Sequence, residues 1–318
     1  MSLLGTRREA LPGFDGATGW LNSAPLTEDA LAGKVVLVDF WTYTCINWLR
    51  TLGYVRAWWE RYASQGLVVV GVHTPEFPFE RDVDNVREAA REMRVEYPIA
   101  LDRDYGVWRA FDNQYWPAVY IADAEGRIQH EHFGEGGYEE CERVIQRLLG
   151  VDGGLVSVVD EGFEAQADWE NLRSPETYLG YEQAQNFAGD AAYGRPYEYV
   201  VPEPLNLNEW ALGGSWTIGP GHSTANEPGG RLAFRFHARD VNLVMGPPAR
   251  DVSVPFHVLV DGEPPREAHG LDVDAQGRGT LTRQRLHQLI REPGSIRDRT
   301  FEVVFETPGA EAYCFTFG

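Results

Sequence analysis

The sequence predicts two domains of different class, an α/β layer with a mixed sheet followed by an all-β jelly roll or sandwich. The chain has 318 residues, which is long for one ordinary domain and suits two. Its first half alternates short apolar runs with helix-like stripes, whereas residues beyond about 205 form short alternating runs between Gly and Pro turns. We therefore predict a first domain at 1–150, a connector at 151–204 and a β domain at 205–318.

The elements of the first domain follow in a simple order. The run VVLVDF at 35–40 is typical of a buried parallel strand, and a helix follows Cys45. A second buried strand at 67–72, a helix at 79–93, two strands joined by a tight turn at Glu125 and Gly126, and a last helix from Tyr138 complete the pattern. The apolar stripe of the first helix has spacings of four and three and comprises Trp48, Leu52, Val55, Trp59 and Tyr62.

The second domain is predicted from runs in which every second residue is apolar. They start at Leu232, Val254, Phe301 and Tyr313, and turns separate them. This part also contains Trp169, Trp210 and Trp216. Such rings either stack on sugars or pack the core of a β sandwich, and alternation does not distinguish the two.

Composition excludes several classes of partner. The formal net charge of −20 predicts no nucleic acid or anionic lipid partner. The sequence contains no run of about 18 apolar residues, so we predict no membrane insertion. The first 30 residues lack a signal-peptide pattern, so we expect a cytoplasmic location, or an extracytoplasmic one if a leader was removed. The three cysteines, Cys45, Cys141 and Cys314, lie far apart, which argues against a disulfide framework or a zinc site. The pair His130 and His132 shows no third ligand. We therefore predict no metal and no cofactor, and the sequence leaves a homo-oligomer open.

The stretch WTYTCINW, residues 41–48, places Cys45 at the start of a helix, just after a buried strand. Unpaired backbone N–H groups and the positive end of the helix dipole favour the thiolate there. The carboxyl edge of a sheet is also where open α/β folds usually place their sites.

Longer motifs carry a resemblance to a known family. GKVVLVDFWTYTCIN, VVGVHTPEF, NQYWPAVYIAD and HFGEGGYEE resemble the TlpA/redoxin-like domain of DipZ-type thiol:disulfide interchange proteins. Beyond Gly150, SPETYLGY, LNLNEWALGGSWTIG and HGLDVDAQGRG are similar to the carbohydrate-binding-module-like domain of that family. The resemblance implies a thioredoxin-like fold, a mixed sheet flanked by helices, in the first domain.

The resemblance implies roles for particular residues. Cys45 matches the attacking cysteine, and Asp39 matches the buried acid that relays protons. Pro117, after Trp116, matches the proline whose preceding bond is cis and faces the nucleophile. Trp41 matches the aromatic residue that shields the site.

Two departures from the family pattern matter. The pattern Cys-x-x-Cys is here Cys45-Ile46-Asn47-Trp48, and Gly53 stands where the family has a proline. Without a resolving thiol, a two-electron dithiol cycle within the motif is impossible. Cys141 or Cys314 would have to substitute.

Three functions therefore stay open. The leading hypothesis is single-cysteine redox chemistry on a small thiol, disulfide or peroxide, with an external thiol as reductant. A non-catalytic binding module with a vestigial Cys45 is the alternative. Thr42 and Cys45 also have the T-x-x-C spacing of peroxiredoxins, which favours a peroxidase-like activity.

Three further side chains complete the candidate site. Trp48 either packs the helix or walls off the thiol. His73 at the end of the second strand, or Glu76 in the following turn, is a candidate base or electrostatic partner, or else a structural residue.

Overall fold

The computed structural model describes residues 10–159 and 162–318 and separates into two compact units, which meet in sequence between Ala165 and Gln166. This division differs from the predicted boundaries. Two strands that lie in the predicted connector, Thr177–Tyr178 and Pro196–Tyr199, pair with strands of the second unit. Most of the predicted connector is thus part of the β unit.

The first unit has the predicted α/β composition with a few additional short elements. Its six strands and five helices are β1 (Gly19–Leu21), α1 (Glu28–Leu31), β2 (Val35–Trp41), α2 (Ile46–Tyr62), β3 (Leu67–His73), α3 (Val83–Glu92), β4 (Ile99–Leu101), α4 (Gly106–Ala110), β5 (Ala118–Ala122), β6 (Ile128–Phe133) and α5 (Tyr138–Leu149). The segment Pro78–Arg81, predicted as the start of the second helix, is a separate 3₁₀ turn.

The sheet of this unit is mixed, as predicted. Its strand order is β1-β4-β3-β2-β5-β6. Strands β2, β3 and β4 run parallel, whereas β1, β5 and β6 join antiparallel. All seven residues of β2 are buried, because this strand lies at the centre and both faces of the sheet are covered. The central strand leads directly to Cys45.

Helix α2 is buried over a wider face than its sequence stripe predicts. Trp48, Leu52, Val55 and Tyr62 are buried, but the buried residue of the tryptophan pair is Trp58. Trp58 and Tyr62 both donate hydrogen bonds to the buried carboxylate of Glu142, at 3.3 and 2.6 Å. Polar contacts with α5 therefore fix this part of the helix.

The named strands of the second unit all pair antiparallel. Its strands are β7 (Thr177–Tyr178), β8 (Pro196–Tyr199), β9 (Trp210–Ile218), β10 (Ser223–Ala225), β11 (Gly230–Phe236), β12 (Asp240–Gly246), β13 (Val254–Val260), β14 (Arg278–Leu281), β15 (Arg285–Arg291), β16 (Arg299–Phe305) and β17 (Glu311–Phe317). They follow the order β14-β13-β16-β11-β9-β10-β17-β12-β15, with β7 beside β17 and β8 beside β9.

Strand β9 belongs to both sheets of this β sandwich, β14-β13-β16-β11-β9 and β9-β10-β17-β12-β15. Its first residues pair with β11 and its last residues pair with β10. Gly214 lies between them at a φ of +81°, a conformation that glycine adopts without strain. The chain therefore passes from one sheet to the other within a single strand.

The alternating apolar residues of the second unit line one core, which includes Leu232, Phe256 and Phe305. Trp210 and Trp216 are fully buried there, so core packing and not sugar stacking explains these two rings. Trp169, in contrast, is exposed. Among residues 10–159 and 162–318, no helix is long and apolar enough to cross a membrane.

Candidate active site

Cys45 lies in the turn between β2 and α2 and is the N-cap residue of the helix. Its N–H donates to the Thr42 carbonyl at 3.2 Å, which closes the turn. The residue is half-buried, whereas Cys141 and Cys314 are buried. Cys45 is therefore the most accessible of the three thiols, and it lies at the positive end of a 17-residue helix.

The Cys45 thiol faces the backbone of the proline loop. Its Sγ lies 3.7 Å from the carbonyl oxygen of Trp116. The Trp116–Pro117 bond is cis, as the resemblance implies, and Pro117 leads directly into β5. The indole of Trp116 is half-buried and donates to the Thr74 carbonyl at 3.1 Å. The structure thus brings Cys45, Trp116 and Pro117 together.

Trp48 occupies the position of the missing second cysteine. It is fully buried and stacks on Trp41, with ring centroids 4.3 Å apart. Its indole N–H donates to Asp39 Oδ2 at 3.0 Å. This favours the packing interpretation of Trp48 and adds a polar role, because the indole is the partner of the buried acid.

Asp39 is fully buried behind this tryptophan pair. Its Oδ2 also accepts the hydroxyl of Tyr97 at 3.3 Å, and Oδ1 has no hydrogen-bond partner among the described residues. Burial raises the pKa of Asp39 to about 7, against the lowering effect of the bonds from Trp48 and Tyr97. The carboxyl group can therefore hold or release a proton near neutral pH.

His73 ends β3 beside Trp41, which is its register partner on β2. Its ring stacks on Tyr43, with centroids 5.7 Å apart, and meets the Trp41 ring edge-on at 4.8 Å. Burial lowers the pKa of His73 to about 3, so the imidazole is neutral at physiological pH. These surroundings favour the structural interpretation of His73 over an electrostatic role.

A buried glutamate that the sequence analysis missed, Glu80, contacts Thr44, the residue before Cys45. Glu80 Oε1 accepts the hydroxyl of Thr44 at 2.7 Å, and Oε2 accepts the N–H groups of Glu76 and Phe77 at 2.6 and 2.9 Å. Glu76 thus contributes its backbone N–H to this contact. The only sequence signal for Glu80 was its position three residues after Phe77, the N-cap of the short helical turn Pro78–Arg81.

The structure also shows the surroundings of three other residues that the sequence analysis singled out. Thr42 is fully buried. A side chain at Gly53, where the family has proline, would place its Cβ only 2.8 Å from Val158 Cγ1. Cys141 lies 3.5 Å from His130 Nε2, and burial raises the pKa of its thiol to about 12. Within the described parts of the chain, no three His, Cys, Asp or Glu side chains are grouped to hold a metal.

A partly exposed thiol at a helix N-terminus, next to a cis-proline and after the central strand of a mixed sheet, defines a thioredoxin-like redox domain. Comparisons with known proteins agree with this class. Residues 9–131 match the AhpC/TSA family, and residues 174–318 match the thioredoxin-like C-terminal domain family.

Two relatives are informative. The chain is 37% identical over 313 residues to protein DipZ of Mycobacterium tuberculosis, covering 96% of this chain and 42% of that protein. It thus spans less than half the length of DipZ. It is 31% identical over 142 residues to the thiol-disulfide oxidoreductase YkuV of Bacillus subtilis, covering 45% of this chain and 95% of YkuV.

Among solved structures, the solution structure of a thioredoxin-like protein in the oxidized form is 31% identical, covers 46% of this chain and 98% of that chain, and has a TM-score of 0.42. Through its first domain, the chain belongs to the thioredoxin-like family of thiol-disulfide oxidoreductases.

Proposed function

We propose that this protein carries out thiol–disulfide exchange through a single cysteine, Cys45. The observation that carries the proposal is the site itself. Cys45 is half-exposed at a helix N-terminus beside the cis-proline loop, and a buried tryptophan fills the position of the second cysteine. The relative YkuV supports the reaction class.

The exchange would proceed in two balanced steps. The Cys45 thiolate attacks one sulfur of a small disulfide, a new S–S bond forms, and the other sulfur leaves as a thiolate that takes up a proton. An external thiolate then attacks the substrate sulfur of this mixed disulfide and releases the Cys45 thiolate. Pro117 shapes the groove for the substrate. Asp39 is the candidate proton relay, since its pKa of about 7 allows either protonation state at neutral pH.

The first experiment measures the rate of Cys45 alkylation by iodoacetamide between pH 4 and pH 10, with Cys45→Ser as the blank. We expect a midpoint below the free-cysteine value of about 8.5, because the helix N-terminus favours the thiolate. The blank should stay unlabelled while folded, since Cys141 and Cys314 are buried. A midpoint at or above that of free cysteine, or labelling only after unfolding, would support the alternative of a vestigial cysteine in a binding module.

The second experiment tests the single-cysteine mechanism. Glutathione disulfide should give one adduct at Cys45, visible by mass spectrometry, which persists until an external thiol is added. Trp48→Cys should instead release the adduct by forming a disulfide between Cys45 and the introduced thiol, which lies three residues along the same helix face. An adduct that decays equally fast in the unaltered chain would show that another internal thiol resolves it.

A second candidate function is reduction of a peroxide by the same thiol. It is favoured by the match of residues 9–131 to the AhpC/TSA family and by the T-x-x-C spacing of Thr42 and Cys45. The Cys45 thiolate would attack one peroxide oxygen, the O–O bond would break, and a sulfenic acid and an alcohol or water would result. Trapping of a sulfenic acid by dimedone after a stoichiometric peroxide pulse would distinguish this reaction from disulfide exchange.

A further inference from the structure

Trp116, whose carbonyl oxygen faces the Cys45 thiol, is fixed through its side chain from two directions. Its indole N–H donates to the carbonyl of Thr74 at 3.1 Å. Its ring lies against the ring of Trp108, with centroids 4.3 Å apart. Any movement of Thr74 or Trp108 would therefore move Trp116 and change the 3.7 Å approach of its carbonyl to Cys45 Sγ.

One buried carboxylate is hydrogen-bonded to both Thr74 and Trp108, the two residues that fix the Trp116 side chain. Asp102 follows β4 and is fully buried. Its Oδ2 accepts the Thr74 hydroxyl at 3.0 Å and the backbone N–H of Trp108 at 2.8 Å, and its Oδ1 accepts the N–H of Val107 at 2.9 Å. Its own N–H donates to the His73 carbonyl at 2.9 Å, which fixes it to the sheet.

We propose that Asp102 is a positioning residue for the Cys45 site. It acts through Thr74 and Trp108 on Trp116, and no hydrogen bond joins it directly to Cys45 among those described. The inference rests on the proposed function only in taking Cys45 as the reacting group.

The arrangement has a chemical consequence for the thiol. A carbonyl oxygen beside a sulfur accepts a hydrogen bond from the S–H form and disfavours the thiolate. If Trp116 is released, the thiolate should become more populated at a given pH. The proline loop should at the same time lose its fixed shape, so disulfide exchange should slow at a pH where the thiol is fully ionised.

The test compares Thr74→Val, which removes the hydroxyl and keeps the shape, with Thr74→Ser, which keeps the hydroxyl. In Thr74→Val and in Asp102→Asn we expect the midpoint of Cys45 alkylation to fall by about 0.5 pH unit, about threefold in thiolate population. We expect Thr74→Ser to stay at the value of the unaltered chain. Exchange with glutathione disulfide, measured above the midpoint, should slow in the same two variants.

A matched control is Asp123→Asn. Asp123 also accepts backbone N–H groups, those of Glu125 and Arg127, but in the turn after β5, at the end of that strand away from Pro117. This variant should lose stability without moving the midpoint. A shift in Asp123→Asn as large as that in Asp102→Asn would overturn the proposal, because general loosening would then explain both.

The proposal would also be overturned if Thr74→Val and Thr74→Ser shared one midpoint and one exchange rate. That comparison decides the matter even if Asp102→Asn fails to fold. An unreactive Cys45 in the unaltered chain would instead contradict the proposed function, so the two failures are distinguishable.

Discussion

Asp39 and His73 are fully buried on the neighbouring strands β2 and β3, and burial moves their pKa values in opposite directions. The pKa of Asp39 rises to about 7, and that of His73 falls to about 3. Both side chains are therefore neutral in the folded protein over much of the acidic range. In the unfolded chain, Asp ionises near pH 3.9 and His near pH 6.5.

These shifts predict opposite contributions to stability as the pH changes. The contribution of Asp39 is fully present below about pH 4 and is lost as the pH rises through 7, because the folded state holds the proton more tightly. The contribution of His73 is present above about pH 6.5 and is lost as the pH falls toward 3. From pH 4 to pH 6.5, the contribution of Asp39 to the free energy of unfolding therefore falls while that of His73 rises.

The variant Asp39→Asn should separate the contribution of Asp39 from that of His73. Asparagine keeps an acceptor for Trp48 and Tyr97 but does not titrate. Relative to the unaltered chain, its free energy of unfolding should rise from pH 4.5 to pH 7.5, by on the order of 3 kcal/mol for a shift of this size. Urea unfolding at intervals of one pH unit measures the difference.

His73→Gln is the matched comparison, and its difference from the unaltered chain should run the other way, falling as the pH rises from 4.5 to 6.5. A pH-independent difference for Asp39→Asn would show that Asp39 is already ionised in the folded protein at pH 4.5.

At the residue scale, the sequence could reveal groups whose identity and spacing follow a known motif. Cys45, Asp39 and Pro117 were predicted on that basis, as was the loss of the second cysteine at Trp48. Glu80 could not be found in this way, because its contact with Thr44 joins residues 36 positions apart. The neutral state of His73 also depends on rings that only folding brings to it.

At the scale of elements, α2 joins the Cys45 site to a buried ion pair. Arg50, five residues after Cys45, contacts Glu135 at 2.8 Å, and both side chains are almost completely buried. Its Nε also donates to the Ala165 carbonyl at 3.2 Å. Burial raises the pKa of Glu135 even though Arg50 opposes this effect.

A double-mutant cycle tests this ion pair. Glu135→Leu should cost about 3–5 kcal/mol, because it leaves a guanidinium that stays charged when buried. Arg50→Met should cost less, since the Glu135 carboxyl can accept a proton instead. The double variant should be more stable than the sum of the two losses predicts, by about 1–3 kcal/mol. Strictly additive losses in chemical denaturation would contradict a direct interaction.

Element prediction succeeded where the apolar signal in the sequence was long. The seven-residue strands β2 and β3 were predicted from continuous apolar runs, and the helix α2 from an apolar stripe with spacings of four and three. The three-residue strands β1 and β4 are too short for a period to show. The stripe of α2 placed Trp59 inward instead of Trp58, because a helix buried on several sides has no single apolar face.

At the scale of the whole molecule, each unit has an apolar core of its own. Phe40, Val70 and Tyr120 belong to the core of the first unit, and Phe234 and Phe315 to that of the second. The sequence predicted two domains but ended the first at Gly150, where helix periodicity stops. The segment after Gly150 has no regular period, so only its contacts show where it belongs.

Those contacts predict that a fragment of residues 1–165 is more stable than a fragment of residues 1–150. The shorter fragment loses the N–H of Val156, which lies 2.9 Å from both carboxylate oxygens of Glu142. It also loses the Ala165 carbonyl that accepts from Arg50. Removing partners from two buried charged groups should cost about 2–5 kcal/mol.

Thermal unfolding followed by circular dichroism compares the two fragments, and iodoacetamide labelling compares their Cys45 thiols with that of the full chain. The longer fragment should unfold cooperatively and keep the alkylation midpoint of the full chain, because it contains the contacts of Cys45 with Thr42 and Trp116 and those of Trp116 with Thr74 and Trp108. Equal melting temperatures would assign residues 151–165 to a linker, as the sequence first indicated. A lower melting temperature for the shorter fragment would instead place the end of the redox domain after its contacts with Glu142 and Arg50.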